Sequence, residues 1–115
     1  MMTQSHSSIR EVVDVRSGGS SSPGAMATLL AKTSNLEVRR LNLVKGREIP
    51  THQANGEITV HCLEGHVAFT THGITQNLAA GQLIIVPAEE PHSLVALEDA
   101  LILVTKIAGE VSTPA

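Results

Sequence analysis

Ile58-Thr59-Val60-His61-Cys62-Leu63-Glu64-Gly65-His66-Val67-Ala68-Phe69-Thr70-Thr71 is the stretch whose reading decides the fold. On either side of Glu64-Gly65, large apolar residues recur at every second position, the period of a strand with one buried face. A two-residue loop at Glu64-Gly65 would set Cys62 opposite Val67 and Val60 opposite Phe69. Residues directly opposed share a face, so Val60, Cys62, Val67 and Phe69 form an apolar surface, and Thr59, His61, Ala68 and Thr70 the other one. Extending the alternation backwards places Ile58 inside and Glu57 outside.

The same short runs of Val, Ile, Leu and Thr, separated by Gly, Pro and Asn, continue through most of the chain. They predict strands at about residues 26–33, 36–44, 48–52, 57–63, 66–71, 75–78, 83–86, 92–97 and 100–107. So many short strands leave too many edges for an open sheet, and closure removes them. The fold class is therefore all-β, a jelly-roll barrel or double-stranded β-helix, spanning 25–115 as a single domain. Residues 1–24 stand apart as a flexible arm, because Ser17-Gly18-Gly19-Ser20-Ser21-Ser22-Pro23-Gly24 carries too little apolar surface to fold by itself. Within the arm, Ile9, Val12 and Val13 at helical spacing, with Ser8 and Glu11 at capping-box spacing, are compatible with a short helix, and equally with a frayed arm or a strand docked on a neighbour.

Composition excludes several classes of function. A net charge of −3 with Phe69 as the sole aromatic residue opposes nucleic-acid binding, which needs a basic face or stacking platforms. No apolar run is long enough to span a membrane and no leader pattern precedes the first strand, so the expected location is the cytoplasm. Cys62 is the only cysteine, which leaves neither a disulfide nor a cysteine-based zinc module. Among six histidines, His6 and His72 fall in polar or turn segments, and His61 and His66 on the outward face. His52 and His92 remain as candidate site residues.

Those two histidines sit in two motifs. Gly46 through Gly65 resembles the first motif of the cupin superfamily, which reads Gly, five residues, His-x-His, three or four residues, Glu, six residues, Gly. Gly81 through Ala96 resembles the second, Gly, five residues, Pro-x-Gly, two residues, His, three residues, Asn. Fifteen residues separate Gly65 from Gly81. The chain is thus similar to a small single-domain, RmlC-like cupin. The resemblance implies a divalent metal (Zn, Fe, Mn or Ni) held at positions 52, 54, 58 and 92, yet here these are His52, Ala54, Ile58 and His92. Half of the ligand set lacks a lone pair, so His52 and His92 are the metal candidates, with Glu57 as a third ligand only if a bulge at Asn55-Gly56 turns it inward. Cys62 lies roughly 13 Å along its strand from position 58, too far to join them.

The expected pocket contains His52, Ala54, Ile58, Val60, Cys62, Phe69 and His92: an apolar cavity with two imidazoles, suited to a small, weakly polar molecule. Three functions compete. The first is a small-molecule-binding cupin with a weakly held metal, the second a metal-dependent oxygenase or isomerase, and the third a non-catalytic sensing or structural module. A homodimer is expected from the arm, the run Ala100-Leu101-Ile102-Leu103-Val104 and the outward His61 and Ala68.

Overall fold

The computed structural model describes residues 6–19 and 25–108. Nine strands carry the fold: β1 (Ala27–Lys32), β2 (Leu36–Leu43), β3 (Glu48–His52), β4 (Ile58–Glu64), β5 (His66–Thr71), β6 (Ile74–Ala79), β7 (Leu83–Val86), β8 (His92–Ala96) and β9 (Ala100–Ile107). They form two antiparallel sheets, one of five strands in the order β1-β2-β9-β4-β7 and one of four in the order β3-β8-β5-β6. The sheets face each other as a jelly roll, and their inner faces supply the core. Phe69, Val67, Val86, Cys62 and Ile102 are all but fully buried there.

The β4–β5 segment corrects one expectation. Its strands do not pair with each other: β4 lies between β9 and β7, whereas β5 lies between β8 and β6. Glu64-Gly65 is therefore a corner at which the chain passes from one sheet to the other, not the loop of a paired hairpin. Gly65 takes a φ of 85°, and a Cβ there would fall 2.2 Å from the Asp99 carbonyl oxygen and 2.8 Å from the Ala100 Cα. The alternation survives the change of partner, since it belongs to each strand alone, and Val60, Cys62, Val67 and Phe69 all point inward and are buried.

The described part of the arm, residues 6–19, lies on the five-stranded sheet. Ser7 makes a parallel bridge to Ala31 on the free edge of β1, with Ser7 N donating to Leu30 O at 2.8 Å and Lys32 N to Ser7 O at 3.2 Å. Ser8 and Glu11 do bond across their capping-box spacing, Ser8 N to Glu11 Oε1 at 2.6 Å, but only a single turn forms and no helix follows among the described residues. Arg40, buried on the outer face of β2, donates from Nη1 to the carbonyls of Gly18 at 2.9 Å and Val15 at 3.4 Å. Arg16 adds an ion pair to Glu64.

On the rest of that outer face, Leu83 and Ile85 of β7 are 52% and 59% exposed. The run from Ala100 to Val104 is largely accounted for within the protomer, as Ala100, Leu101 and Ile102 are buried. No helix among the described residues is long and apolar enough to cross a membrane.

Candidate functional site

His52 ends β3 and His92 begins β8, and the two residues are cross-strand partners, so both side chains share the inner face of the four-stranded sheet. A register shift between Ile49 and His52 brings them level. Their ring centroids are 4.3 Å apart at an interplanar angle of 62°, an edge-to-face contact. Phe69 stacks on the other side of His92, with centroids 5.7 Å apart and planes 17° from parallel.

Each ring is oriented by the carbonyl two residues before it. His52 Nδ1 lies 3.0 Å from Pro50 O, and His92 Nδ1 lies 3.0 Å from Glu90 O. A carbonyl can only accept, so in the neutral ring Nδ1 carries the proton and Nε2 keeps its lone pair. The loop before β8 is itself tied down. Glu89, at a left-handed φ of 69°, donates its N–H to Ala54 O at 2.7 Å, and the Thr71 hydroxyl donates to Glu90 Oε2 at 2.7 Å.

Burial lowers the His92 pKa below its ordinary value, with the backbone bond to Glu90 opposing and the proximity of His52 adding to the depression. The folded state then binds fewer protons at this site than the unfolded chain does. Stability is expected to be intact above the unfolded pKa of about 6.5 and to decline as pH falls through that value toward the folded one. Urea midpoints between pH 8 and 5, compared with those of His92→Gln, check this: the variant loses that part of the pH dependence. An equal slope in both proteins would refute it.

Between the sheets opens a cavity of about 250 Å³. Of the residues expected to form it, His52, Ala54, Ile58, Val60, Phe69 and His92 line it. Cys62 does not. It is fully buried in the core beyond the cavity, its thiol 3.3 Å from Glu64 O, and burial raises its pKa. Glu57 is exposed and does not reach the cavity wall either; its backbone carbonyl accepts from Ile107 N at 2.9 Å.

The cavity also holds residues that sequence reading missed. Glu37 and Arg39 of β2 and Lys106 of β9 occupy inward positions, alternating in phase with the core residues Leu43 and Ile102 on the same strands. Arg39 Nε and Nη2 both lie 3.3 Å from Glu37 Oε1, and Lys32 Nζ lies 3.5 Å from Glu37 Oε2. Burial opposes ionisation of Glu37, but Lys106, Arg39 and Lys32 outweigh it and hold the carboxyl below the usual range.

The fit to a resident metal follows from the donor set. Two imidazoles converge, while Ala54 and Ile58 at the other two motif positions contribute no donor. Among the described residues no group of three His, Cys, Asp or Glu side chains is placed to hold an ion. Gln53 is turned away, its amide donating to Glu89 Oε1 at 3.0 Å. The residues present do not fit a centre of three or four protein ligands.

Comparison with known proteins agrees with this architecture. The Cupin domain family (Cupin_2) matches residues 39–106. A conserved protein of unknown function from Streptococcus pyogenes is 32% identical, with a TM-score of 0.68 over 74% of this chain and 75% of its own. An RmlC-like cupin from Desulfovibrio desulfuricans is 25% identical, with a TM-score of 0.66 over 93% and 97% of the two chains. A cupin superfamily protein from Desulfitobacterium hafniense is 13% identical, with a TM-score of 0.74 over 95% of this chain and all of its own, a likeness of fold alone. No curated protein matches the chain. With both motifs in place on a two-sheet jelly roll, and the family match covering more than half of its length, the chain belongs to the cupin family.

Proposed function

We propose that this cupin binds a small molecule in the cavity between its sheets, using the Nε2 atoms of His52 and His92 as hydrogen-bonding partners rather than as part of a complete metal centre. The observation that carries the reading is the pair of touching imidazoles, each with Nδ1 on a backbone carbonyl, at the wall of an otherwise largely apolar hollow. Such a hollow with a few convergent polar groups is the usual form of a ligand site, and membership of a fold family does not by itself name a reaction.

One observation favours a secondary role for metal. Imidazoles whose Nδ1–H is held by a carbonyl present Nε2 as ligating histidines do. With only two protein donors, Zn, Fe, Mn or Ni would be held weakly. Purified protein is expected to carry less than one equivalent of these metals. At the same time, ligand screening by NMR should find compounds that shift cavity methyl signals in the wild type and lose affinity in a His52→Ala, His92→Ala double variant. Stoichiometric metal that disappears in the double variant would overturn the reading in favour of a metal-dependent oxygenase or isomerase. If no compound shifts the cavity signals and the double variant is altered only in stability, a structural module is favoured.

The reading includes a homodimer formed through the outer face of the five-stranded sheet, where Leu83 and Ile85 leave apolar surface in water beside the half-buried His61. Sedimentation is expected to find dimers at micromolar concentration that a Leu83→Lys, Ile85→Lys variant abolishes. Wild type sedimenting only as a monomer would refute this.

A further inference from the structure

The two walls of the cavity differ in charge. The four-stranded sheet presents the imidazoles, and the five-stranded sheet presents Arg39, Lys106 and Glu37. Inward-facing charges on a strand are costly unless they are matched, because apolar neighbours cannot solvate them. Glu37 is matched: it holds Arg39 and Lys32. Lys106 is half-buried and has no carboxylate within 4.0 Å among the described residues, although its charge reaches Glu37 and helps keep that carboxyl ionised. Arg39, Lys32 and Lys106 thus surround a single carboxylate, and this wall keeps a net positive charge beside apolar side chains such as Ile58, Val60 and Val104.

We propose that the cavity takes a small monocarboxylate with an aliphatic body, its carboxylate on Lys106 and the free edge of Arg39 and its body against the apolar lining. A carboxylate there offsets part of the net positive charge of that wall. Ammonium ligands would face Lys106 and Arg39 as like charges, and a second carboxylate would find no lysine or arginine on the opposite wall, whose lining is Ile49, His52, Phe69, His92 and Leu94. The proposal rests on the small-molecule reading above and adds the class of ligand to it.

The test uses three probes of one shape: isocaproate, isocaproamide and isohexylamine. Each is titrated into the full chain while the methyl signals of Ile58, Val60, Leu94 and Val104 are followed by NMR. Isocaproate is expected to shift them and to bind about tenfold or more tighter than the amide, the ratio appropriate to a charge-assisted hydrogen bond. In Lys106→Met, which keeps the aliphatic stem and is tolerated at a half-buried position, that preference is expected to fall to near unity while amide binding persists. Arg39→Gln provides a second, independently folding check with a smaller loss. Equal binding of amide and carboxylate in the wild type, or tighter binding of the amine, would overturn the anion assignment and leave the cavity reading standing. Absence of methyl shifts with every probe would count against both. A carboxylate preference that is unaltered in Lys106→Met and Arg39→Gln would place the anion elsewhere and refute the proposal.

Discussion

Alanine in place of Gly65 is expected to destabilise the protein by roughly 3 kcal/mol or more, a large part of the 5–15 kcal/mol that holds a domain folded. Two effects combine. The left-handed φ of 85° costs a residue with a Cβ on the order of 1 kcal/mol. The new Cβ would also sit 2.2 Å from Asp99 O and 2.8 Å from Ala100 Cα, and main-chain atoms cannot step aside as the end of a lysine can. Overfilling of this kind adds about 1–3 kcal/mol. Gly73 separates the two effects, since its φ is 73° and nothing lies within 4 Å of the position a Cβ would take. Gly73→Ala should therefore show the backbone cost alone, about 1 kcal/mol. Urea unfolding of both variants decides the matter, and equal losses would show that the corner does not need the close approach of β4 and β9.

Truncating Phe69 to alanine is expected to cost about 3–5 kcal/mol, the range for removing a buried aromatic side chain. Phe69 is 1% exposed and is the largest fully buried side chain, so the void it leaves has few neighbours able to fill it. The residue also forms one wall of the cavity and the surface on which His92 rests. Phe69→Leu keeps most of the volume and should cost about 1 kcal/mol. Because leucine does not offer a ring face, the His92 ring signals should shift in this variant even though the fold is retained. Similar unfolding midpoints for the alanine and leucine variants would show that the interior relaxes around the gap. An unmoved His92 signal in Phe69→Leu would remove Phe69 from the site.

Strand boundaries were legible because each strand is a local pattern of β-branched and apolar residues stopped by turn residues, and β3, β5, β7 and β9 begin and end where that pattern does. Facing was legible for the same reason, as alternation does not depend on which strand is the neighbour. The pairing of β4 with β5 was misread because a short Gly-containing connection looks alike whether the chain folds back or crosses between sheets; only the packing of β9 against β4 distinguishes them. Glu37, Arg39 and Lys106 escaped notice because charged residues on strands are ordinarily solvated. The inward positions of Glu37 and Arg39 follow from alternation with Leu41 and Leu43, but Leu36 and Val38 give the opposite face of β2 apolar residues too, so the strand alone does not say which face is inside. Cys62 was placed on the correct face but in the wrong layer, beyond the hollow rather than within it. Glu89 keeps the left-handed backbone at the position where cupins usually have glycine, so the motif's geometry persists after its residue has changed.

The hollow takes one side from each of the two sheets. Whatever occupies it works as a rivet between layers that otherwise adhere through their apolar faces, and its affinity is converted into resistance to unfolding. An occupant present at a hundred times its dissociation constant would add about 2.7 kcal/mol. On the proposed small-molecule reading, the melting temperature of this small barrel would rise with the concentration of its ligand.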